Sequence, residues 1–122
     1  MQKKKSQDNL NKKYLQEAEK LAEIIVKNYQ PEKIILYGSA ARGNVRKDSD
    51  LDFCIIKESD LPMRKRIYDV YSALDDYAYA YAFEPVVFTP KEFQKKQNNN
   101  DYFIQEILRG KIMYSYETFS RE

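Results

Sequence analysis

Hydrophobic positions recur with a helical period at the start of the chain and with strand periods further on. Apolar side chains spaced three or four residues apart predict a helix from about Asp8 to Asn28, with a stripe made of Leu10, Tyr14, Ala18, Leu21 and Ile25. We expect this helix to end before Pro31, because the residue preceding a proline is biased away from helical geometry. Residues 1–7, with Lys3 to Lys5 among them, predict a solvated, frayed end; a phosphate-contacting arm is the alternative.

Four short apolar runs predict β-strands. They are, in chain order, Lys33 to Tyr37, Asp50 to Ile56, about Ala82 to Phe88, and Lys111 to Tyr114. Pro85 lies inside the third strand and has no amide proton to donate, so we expect an edge position or a bulge there.

Helical segments are predicted between the strands. They are a short segment from Ala40 to Arg42, a helix that begins at Pro62 and ends near Tyr79, a helix that begins at Pro90 after a Thr89 cap, and a helix from Tyr102 to Arg109. Strands that alternate with helices predict an α/β or α+β fold with one small, mixed sheet. We expect one domain over residues 1–122, with helices packed mainly on one face of the sheet and the other face partly open.

Composition and charge exclude several classes of function. Of the 122 residues, 43% are hydrophobic and 33% are charged, and no apolar run approaches the ~20 residues of a membrane helix, so we expect a cytoplasmic protein without membrane contact. The formal net charge of +2 is too small to favour nucleic acid as a partner. The chain has no histidine, which excludes Ser-His triads and imidazole-ligated zinc sites. Its single cysteine, Cys54, lies in an apolar strand and is expected to be a buried, inert thiol.

Two carboxylates at the start of the second predicted strand are the first candidates for chemistry. Asp50 and Asp52 are two residues apart, so their side chains project from the same face of the strand. Two ionised carboxylates ~4 Å apart repel each other by about 4 kcal/mol at an effective dielectric constant of about 20, and a bound cation would relieve that repulsion. Oxygen ligands favour a hard ion such as Mg²⁺ or Mn²⁺. An isolated Asp-x-Asp pair is a weak motif, and a strand end with solvated acids is the alternative.

A glycine-serine turn between the first two strands favours anion binding. Gly38 permits a close approach of the backbone to a ligand, Ser39 offers a hydroxyl, and amides at the start of the following helix favour an anion. Gly43 allows a second tight turn. Neither a Walker A sequence nor a G-x-G-x-x-G fingerprint is present. An ordinary strand-to-helix turn is the alternative, but it does not account for the paired acids that begin the next strand.

The whole stretch resembles a known signature. Gly38-Ser39 is followed after ten residues by Asp50-x-Asp52, which resembles the nucleotidyltransferases with the DNA polymerase β-type fold, and GSAARGNVRKDSDLDF is similar to the minimal nucleotidyltransferase (MNT) group. That group also has a third carboxylate on a later strand, followed by Thr-Pro-x-Glu. The run from Glu84 to Glu92 fits this arrangement, with Glu84 in place of the more frequent aspartate. The resemblance covers roughly Ile34 to Tyr114.

The resemblance implies a two-metal mechanism. Asp50 and Asp52 would hold two Mg²⁺ ions on ATP, and Glu84 would complete the metal site and accept the proton of the attacking hydroxyl. Gly38 and Ser39 would hold the β- and γ-phosphates. The loop that follows would add nucleotide contacts through Arg42, Gly43, Arg46 and Lys47; a solvated basic loop is the alternative for its three cations, Arg42, Arg46 and Lys47.

Small proteins of this group resemble the antitoxin half of two-component systems whose partner is a HEPN-domain toxin. The implied activity is transfer of AMP from ATP to a tyrosine of that partner, within a hetero-oligomer. We expect no additional domain of the kind with which larger relatives hold a tRNA or an antibiotic, which favours a protein substrate. Two alternatives stay open: a non-catalytic module that neutralises the HEPN partner by docking, and nucleotidyl transfer to a small molecule or an RNA end. The 11 tyrosines predict half-buried packing, with a partner interface as the alternative.

Overall fold

The computed structural model of the chain describes residues 2–116. Helices and strands follow one another in the order α1 (Gln2–Tyr29), β1 (Lys33–Tyr37), α2 (Ser39–Arg42), β2 (Leu51–Ile56), α3 (Met63–Leu74), β3 (Phe83–Phe88), α4 (Pro90–Asn98), α5 (Tyr102–Leu108) and β4 (Lys111–Ser115). No helix in this part of the chain combines the length and the apolar character that crossing a bilayer requires.

The sheet has four strands in the order β3-β2-β1-β4. Strand β1 runs antiparallel to β2 and to β4, whereas β2 and β3 are parallel. The prediction of an α/β fold with a small, mixed sheet is therefore confirmed. Pro85 lies in β3, which is an edge strand, as its missing amide proton predicted.

Alternating side chains of the strands enter two separate cores. The two long helices, α1 and α3, cover one face, where Ile34, Leu36, Phe53 and Ile55 are buried. The short helices α4 and α5 cover part of the opposite face over a smaller core that includes Cys54. The two long helices lie on one face as expected, and the other face, which was expected to be partly open, is partly covered by α4 and α5.

Helix α1 begins at Gln2, six residues before the expected start near Asp8, and residue 1 lies outside the described residues. The reason is a tertiary contact that a hydrophobic stripe does not reveal. The Gln7 side-chain amide donates hydrogen bonds to the carbonyl oxygen of Val45 at 2.9 Å and to the Asn11 side chain at 3.0 Å. The bond to Val45 joins the first turns of α1 to the loop that follows α2, and the bond to Asn11 lies within α1.

Helix α3 ends at Leu74, five residues before the expected end near Tyr79. Asp75 has φ 46° and ψ −120°, a backbone geometry that stops the helix. The Tyr77 hydroxyl and the Ala80 amide instead donate hydrogen bonds to the Glu17 carboxylate of α1. The tyrosine-alanine alternation therefore lies in a loop and does not continue α3. Hydrogen bonds join this loop to α1.

Two local predictions are confirmed. Thr89 and Glu92 form a complete capping box at the start of α4, in which each side chain accepts a hydrogen bond from the backbone amide of the other. Cys54 is fully buried, and burial raises the pKa of its thiol to about 12, so it stays protonated and inert at neutral pH.

Candidate active site

The site begins where β1 ends. Gly38 has φ 77° and ψ −156°, a region of backbone geometry that only glycine adopts readily. A Cβ atom built on Gly38 would lie 2.5 Å from the Oδ2 atom of Asp52 on the neighbouring strand. Glycine is therefore required at this position for two reasons: it permits the backbone turn, and it leaves room for the Asp52 carboxylate.

Three strands bring acidic and aromatic side chains into one row. Tyr37 of β1 is the register partner of Asp52 on β2, and Asp52 is the partner of Glu84 on β3. Partners in adjacent strands project to the same face. Asp50 precedes β2 by one residue and is half-buried, as Asp52 is, whereas Glu84 is exposed. The structure thus aligns Asp52 with Glu84, although Pro85 follows directly.

The charges of Asp50 and Glu84 act on the Asp52 carboxyl. Burial is the largest cause that raises the pKa of Asp52 to about 6, followed by the negative charges of Asp50 and Glu84, while Arg42 lowers it. The pKa of the Tyr37 hydroxyl is also raised, first by burial and then by the Asp52 charge. An anionic cluster next to a half-buried carboxyl is an environment in which a bound cation would be favourable.

The donor set fits a hard divalent cation in its chemistry. The three carboxylates supply oxygen ligands only, which Mg²⁺ prefers, and Mg²⁺ commonly takes one or two carboxylates and completes its shell with water and phosphate oxygens. Among the described residues, no three acidic or thiol side chains converge closely enough to form a ready-made metal cage. Water molecules and the phosphates of a substrate would complete the shell of such an ion.

The predicted phosphate-binding segment lies beside these carboxylates. Ser39 is the first residue of α2, and Gly43 ends this short helix with φ 80° and ψ 30°, so that its amide donates to the Ser39 carbonyl oxygen at 2.9 Å. Arg42 is exposed and forms an ion pair with Glu106 of α5, with 2.8 Å between Nη1 and Oε1. Arg46 and Lys47 are exposed in the following loop. A role of these four side chains and of Gly43 in nucleotide binding stays a prediction.

Polar residues of α1 were missed by the sequence analysis. The Asn11 side chain donates to the Gly43 carbonyl oxygen at 2.7 Å and accepts from the Val45 amide at 3.2 Å. The Tyr14 hydroxyl lies 2.8 Å from the Ser49 carbonyl oxygen, directly before Asp50. The signal was present, because Gln7 and Asn11 extend towards the N-terminus the stripe to which Tyr14 belongs, at helical spacing.

Tyr77 and Tyr81 are half-buried as expected, whereas 37% of the surface of Tyr71 and 40% of that of Tyr79 are exposed. Tyr71 donates to the Phe83 carbonyl oxygen at 2.7 Å and Tyr77 to Glu17 at 2.8 Å, which are packed rings with bonded hydroxyls. Tyr68 and Tyr102 are different, since 63% and 85% of their surfaces are exposed.

A family model described as "Polymerase beta, Nucleotidyltransferase" matches residues 19–118 of the chain. The matched span contains the glycine-serine turn and all three candidate carboxylates. A comparison with curated proteins gave no match.

Proposed function

Because the chain belongs to the Polymerase beta nucleotidyltransferase family, we propose that it is a Mg²⁺-dependent protein adenylyltransferase. It moves AMP from ATP to a tyrosine hydroxyl of a HEPN-domain toxin and acts as the antitoxin of that partner. The observation that carries the proposal is the alignment of Asp52 with Glu84, directly against the Gly38 turn. Nucleotidyl transfer needs metal-binding carboxylates next to a turn that can bind phosphate, and these two features are adjacent here.

The reaction uses these side chains in distinct roles. Asp50 and Asp52 would hold Mg²⁺, two ions as in the resemblance, which would neutralise phosphate charge as it develops. Gly38 and Ser39 place the β- and γ-phosphates. The tyrosine oxygen of the acceptor bonds to the α-phosphorus, the bond from that phosphorus to the bridging oxygen breaks, and pyrophosphate leaves. The exposed Glu84 carboxylate accepts the proton that the acceptor hydroxyl loses.

The location of Glu84 supports an acceptor on the surface of another protein. Its side chain is exposed and lies on the edge strand β3, which no further strand of residues 2–116 covers. A tyrosine on a folded partner can approach such an edge without entering a deep cleft. The formal net charge of +2 supports a protein acceptor over an RNA end, since RNA binding draws on concentrated positive charge.

Transfer is tested with ATP labelled at the α-phosphorus, Mg²⁺ and the HEPN-domain protein encoded by the adjacent gene. We expect label on the partner, located on a tyrosine by mass spectrometry, and none with ATP labelled at the γ-phosphorus. Label on an RNA or a small molecule instead would support the alternative acceptors. If the protein binds ATP but labels no protein, the proposal is wrong.

A docking antitoxin without catalysis is the second candidate. The observation that favours it is the exposure of Tyr68 and Tyr102, since tyrosine is enriched in protein interfaces. Asp50→Asn separates the two functions, because it removes a metal-binding charge while leaving those tyrosines in place. If neutralisation of the toxin survives this change although transfer is lost, docking alone is sufficient.

A further inference from the structure

Two loops lead into the candidate carboxylates, and both are bonded to α1. The first loop, residues 43–50, ends at Asp50. The second loop, residues 75–82, leads into β3 and to Glu84. Neither loop has regular secondary structure over most of its length, so its geometry depends on contacts with other elements.

Tyr14 contacts both loops. Its side chain is fully buried, and its hydroxyl lies 2.8 Å from the Ser49 carbonyl oxygen and 3.0 Å from that of Arg46, in the first loop. Its ring stacks on the ring of Tyr81 in the second loop, with 3.7 Å between centroids and 9° between planes. Tyr14 therefore joins the two loops: its hydroxyl contacts the first loop and its ring contacts the second.

Glu17 holds the second loop one turn further along α1. Only 5% of its surface is exposed, and its two carboxylate oxygens accept hydrogen bonds from the Tyr77 hydroxyl at 2.8 Å and the Ala80 amide at 2.9 Å. A buried carboxylate is unfavourable unless it is hydrogen-bonded. Here each oxygen is satisfied by the loop, so the position of the loop and the burial of the acid depend on each other.

The two loops meet where the parallel strands begin. The Leu51 amide donates to the Ala82 carbonyl oxygen at 2.8 Å, and from this bond onwards β2 and β3 pair with Leu51 opposite Phe83 and Asp52 opposite Glu84. The placement of the loops thus sets which carboxylates are aligned.

From these contacts we infer that Tyr14 and Glu17 are positioning residues for the carboxylate site, acting through the two loops. The inference rests on the proposed transfer function and adds residues to it. Both residues lie before residue 19, where the match to the family begins, so that match assigns them no role. A merely structural role predicts that their loss lowers stability alone, whereas a positioning role predicts weaker metal binding and slower transfer by folded protein.

Tyr14→Phe tests the inference with the smallest change, because it keeps the ring stack and removes only the hydroxyl. We expect kcat for AMP transfer to fall by about tenfold, with KM for ATP changed by less than about threefold, because Asp50 shifts while Gly38 is held by β1. The dissociation constant of Mn²⁺ without nucleotide, measured by electron paramagnetic resonance, should rise by about threefold or more. Tyr29→Phe, the same change near the other end of α1, is the matched control and should alter none of these values.

A second set of variants separates the stack from the carboxylate. Tyr81→Phe keeps the stacked ring and should resemble the wild type, whereas Tyr81→Leu should repeat the effects of Tyr14→Phe. Glu17→Gln retains one acceptor oxygen and should give a smaller loss than Glu17→Ala. Urea unfolding of every variant shows the folded fraction, so that kcat and the Mn²⁺ dissociation constant refer to folded protein.

The outcomes distinguish this inference from the proposed function. If Tyr14→Phe leaves both kcat and the Mn²⁺ dissociation constant within about twofold of the wild type, the positioning role is wrong. If the wild type binds Mn²⁺ but transfers no AMP, the proposed function is wrong, and the Mn²⁺ dissociation constant of Tyr14→Phe alone decides the inference. A wild type that binds no Mn²⁺, with or without ATP, and transfers no AMP overturns both.

Discussion

The carboxylate of Asp52 occupies the space that any side chain on Gly38 would need. A Cβ atom on Gly38 would lie 2.5 Å from Oδ2 of Asp52, and Gly38 has φ 77° and ψ −156°. The end of β1 and the acidic position of β2 are therefore mutually dependent, and a change at either alters the other.

Gly38→Ala should destabilise the protein and weaken metal binding. Its backbone geometry alone costs about 1–3 kcal/mol for a residue with a Cβ atom, and the clash would displace the Asp52 carboxylate. Urea unfolding measures the first effect and Mn²⁺ titration the second. Gly43→Ala is the matched control for strain in the stability measurement, because Gly43 also has a positive φ of 80° but its Cβ would meet only Asn11 Nδ2, at 3.7 Å. Equal destabilisation by the two variants would contradict the clash.

Asp52→Asn should stabilise the metal-free protein near neutral pH while abolishing transfer. The pKa of Asp52 is raised from 3.8 to about 6 by burial and by the neighbouring charges of Asp50 and Glu84, so the folded state holds this proton more tightly than the unfolded chain. Stability therefore falls as pH rises from about 4 to about 6, and the loss persists above pH 6. Because the side chain is half-exposed and solvent-screened, we expect a gain of only about 1 kcal/mol for the variant.

Urea unfolding in EDTA at about pH 7 and about pH 4 measures this effect. The difference between variant and wild type should be present at the higher pH and disappear at the lower one. Asp76→Asn, an exposed acid outside the site, is the control. An Asp52→Asn protein that is less stable than the wild type near pH 7 would show that the carboxylate makes a favourable contact instead.

Glu106→Gln should lower KM for ATP by up to about fivefold at low salt, since an exposed ion pair contributes up to about 1 kcal/mol. The physical reason is competition, because the Glu106 carboxylate lies 2.8 Å from the Arg42 guanidinium that the phosphates of ATP would contact. Steady-state kinetics at low and high salt measure it, and the effect should shrink as salt screens the pair. Arg109→Gln removes the other cation near Glu106, 3.6 Å away, and should leave KM unchanged. A higher KM in Glu106→Gln would mean that Glu106 orients Arg42 instead of competing for it.

Glu84→Gln should lower kcat by about 10²-fold or more, the contribution typical of a group that transfers a proton. Glu84→Asp should retain much more activity, because it keeps the carboxylate and resembles the residue more frequent in the MNT group. Rapid-quench measurement of AMP transfer compares the two variants. Equal losses in both would mean that the reaction needs the reach of the longer side chain as well as its carboxylate.

Local chemistry explains why much of the fold was predictable. The stripe of α1, the capping box of Thr89 and Glu92, and the edge position of Pro85 each follow from residues within one element and its immediate neighbours. The end of α3 was predicted wrongly, because the alternation after Leu74 suits a helix or a strand equally. The helix ends at Leu74 and the next residues form a loop that bonds to the Glu17 carboxylate, 60 residues before Tyr77 in the chain.

By itself, the sequence determined the strands, the starts of α4 and α5, the glycine turn and the spacing of Asp50 and Asp52, since these depend on period, capping and backbone freedom. Only the tertiary structure decided that Glu84 is aligned with Asp52, that Gly38 lies against that carboxylate and that α1 bonds to both loops beside the site. The physical reason is that strand register and loop position arise from contacts between residues far apart in the chain. The periodicity of hydrophobic positions does not show which distant residues are in contact in the folded protein.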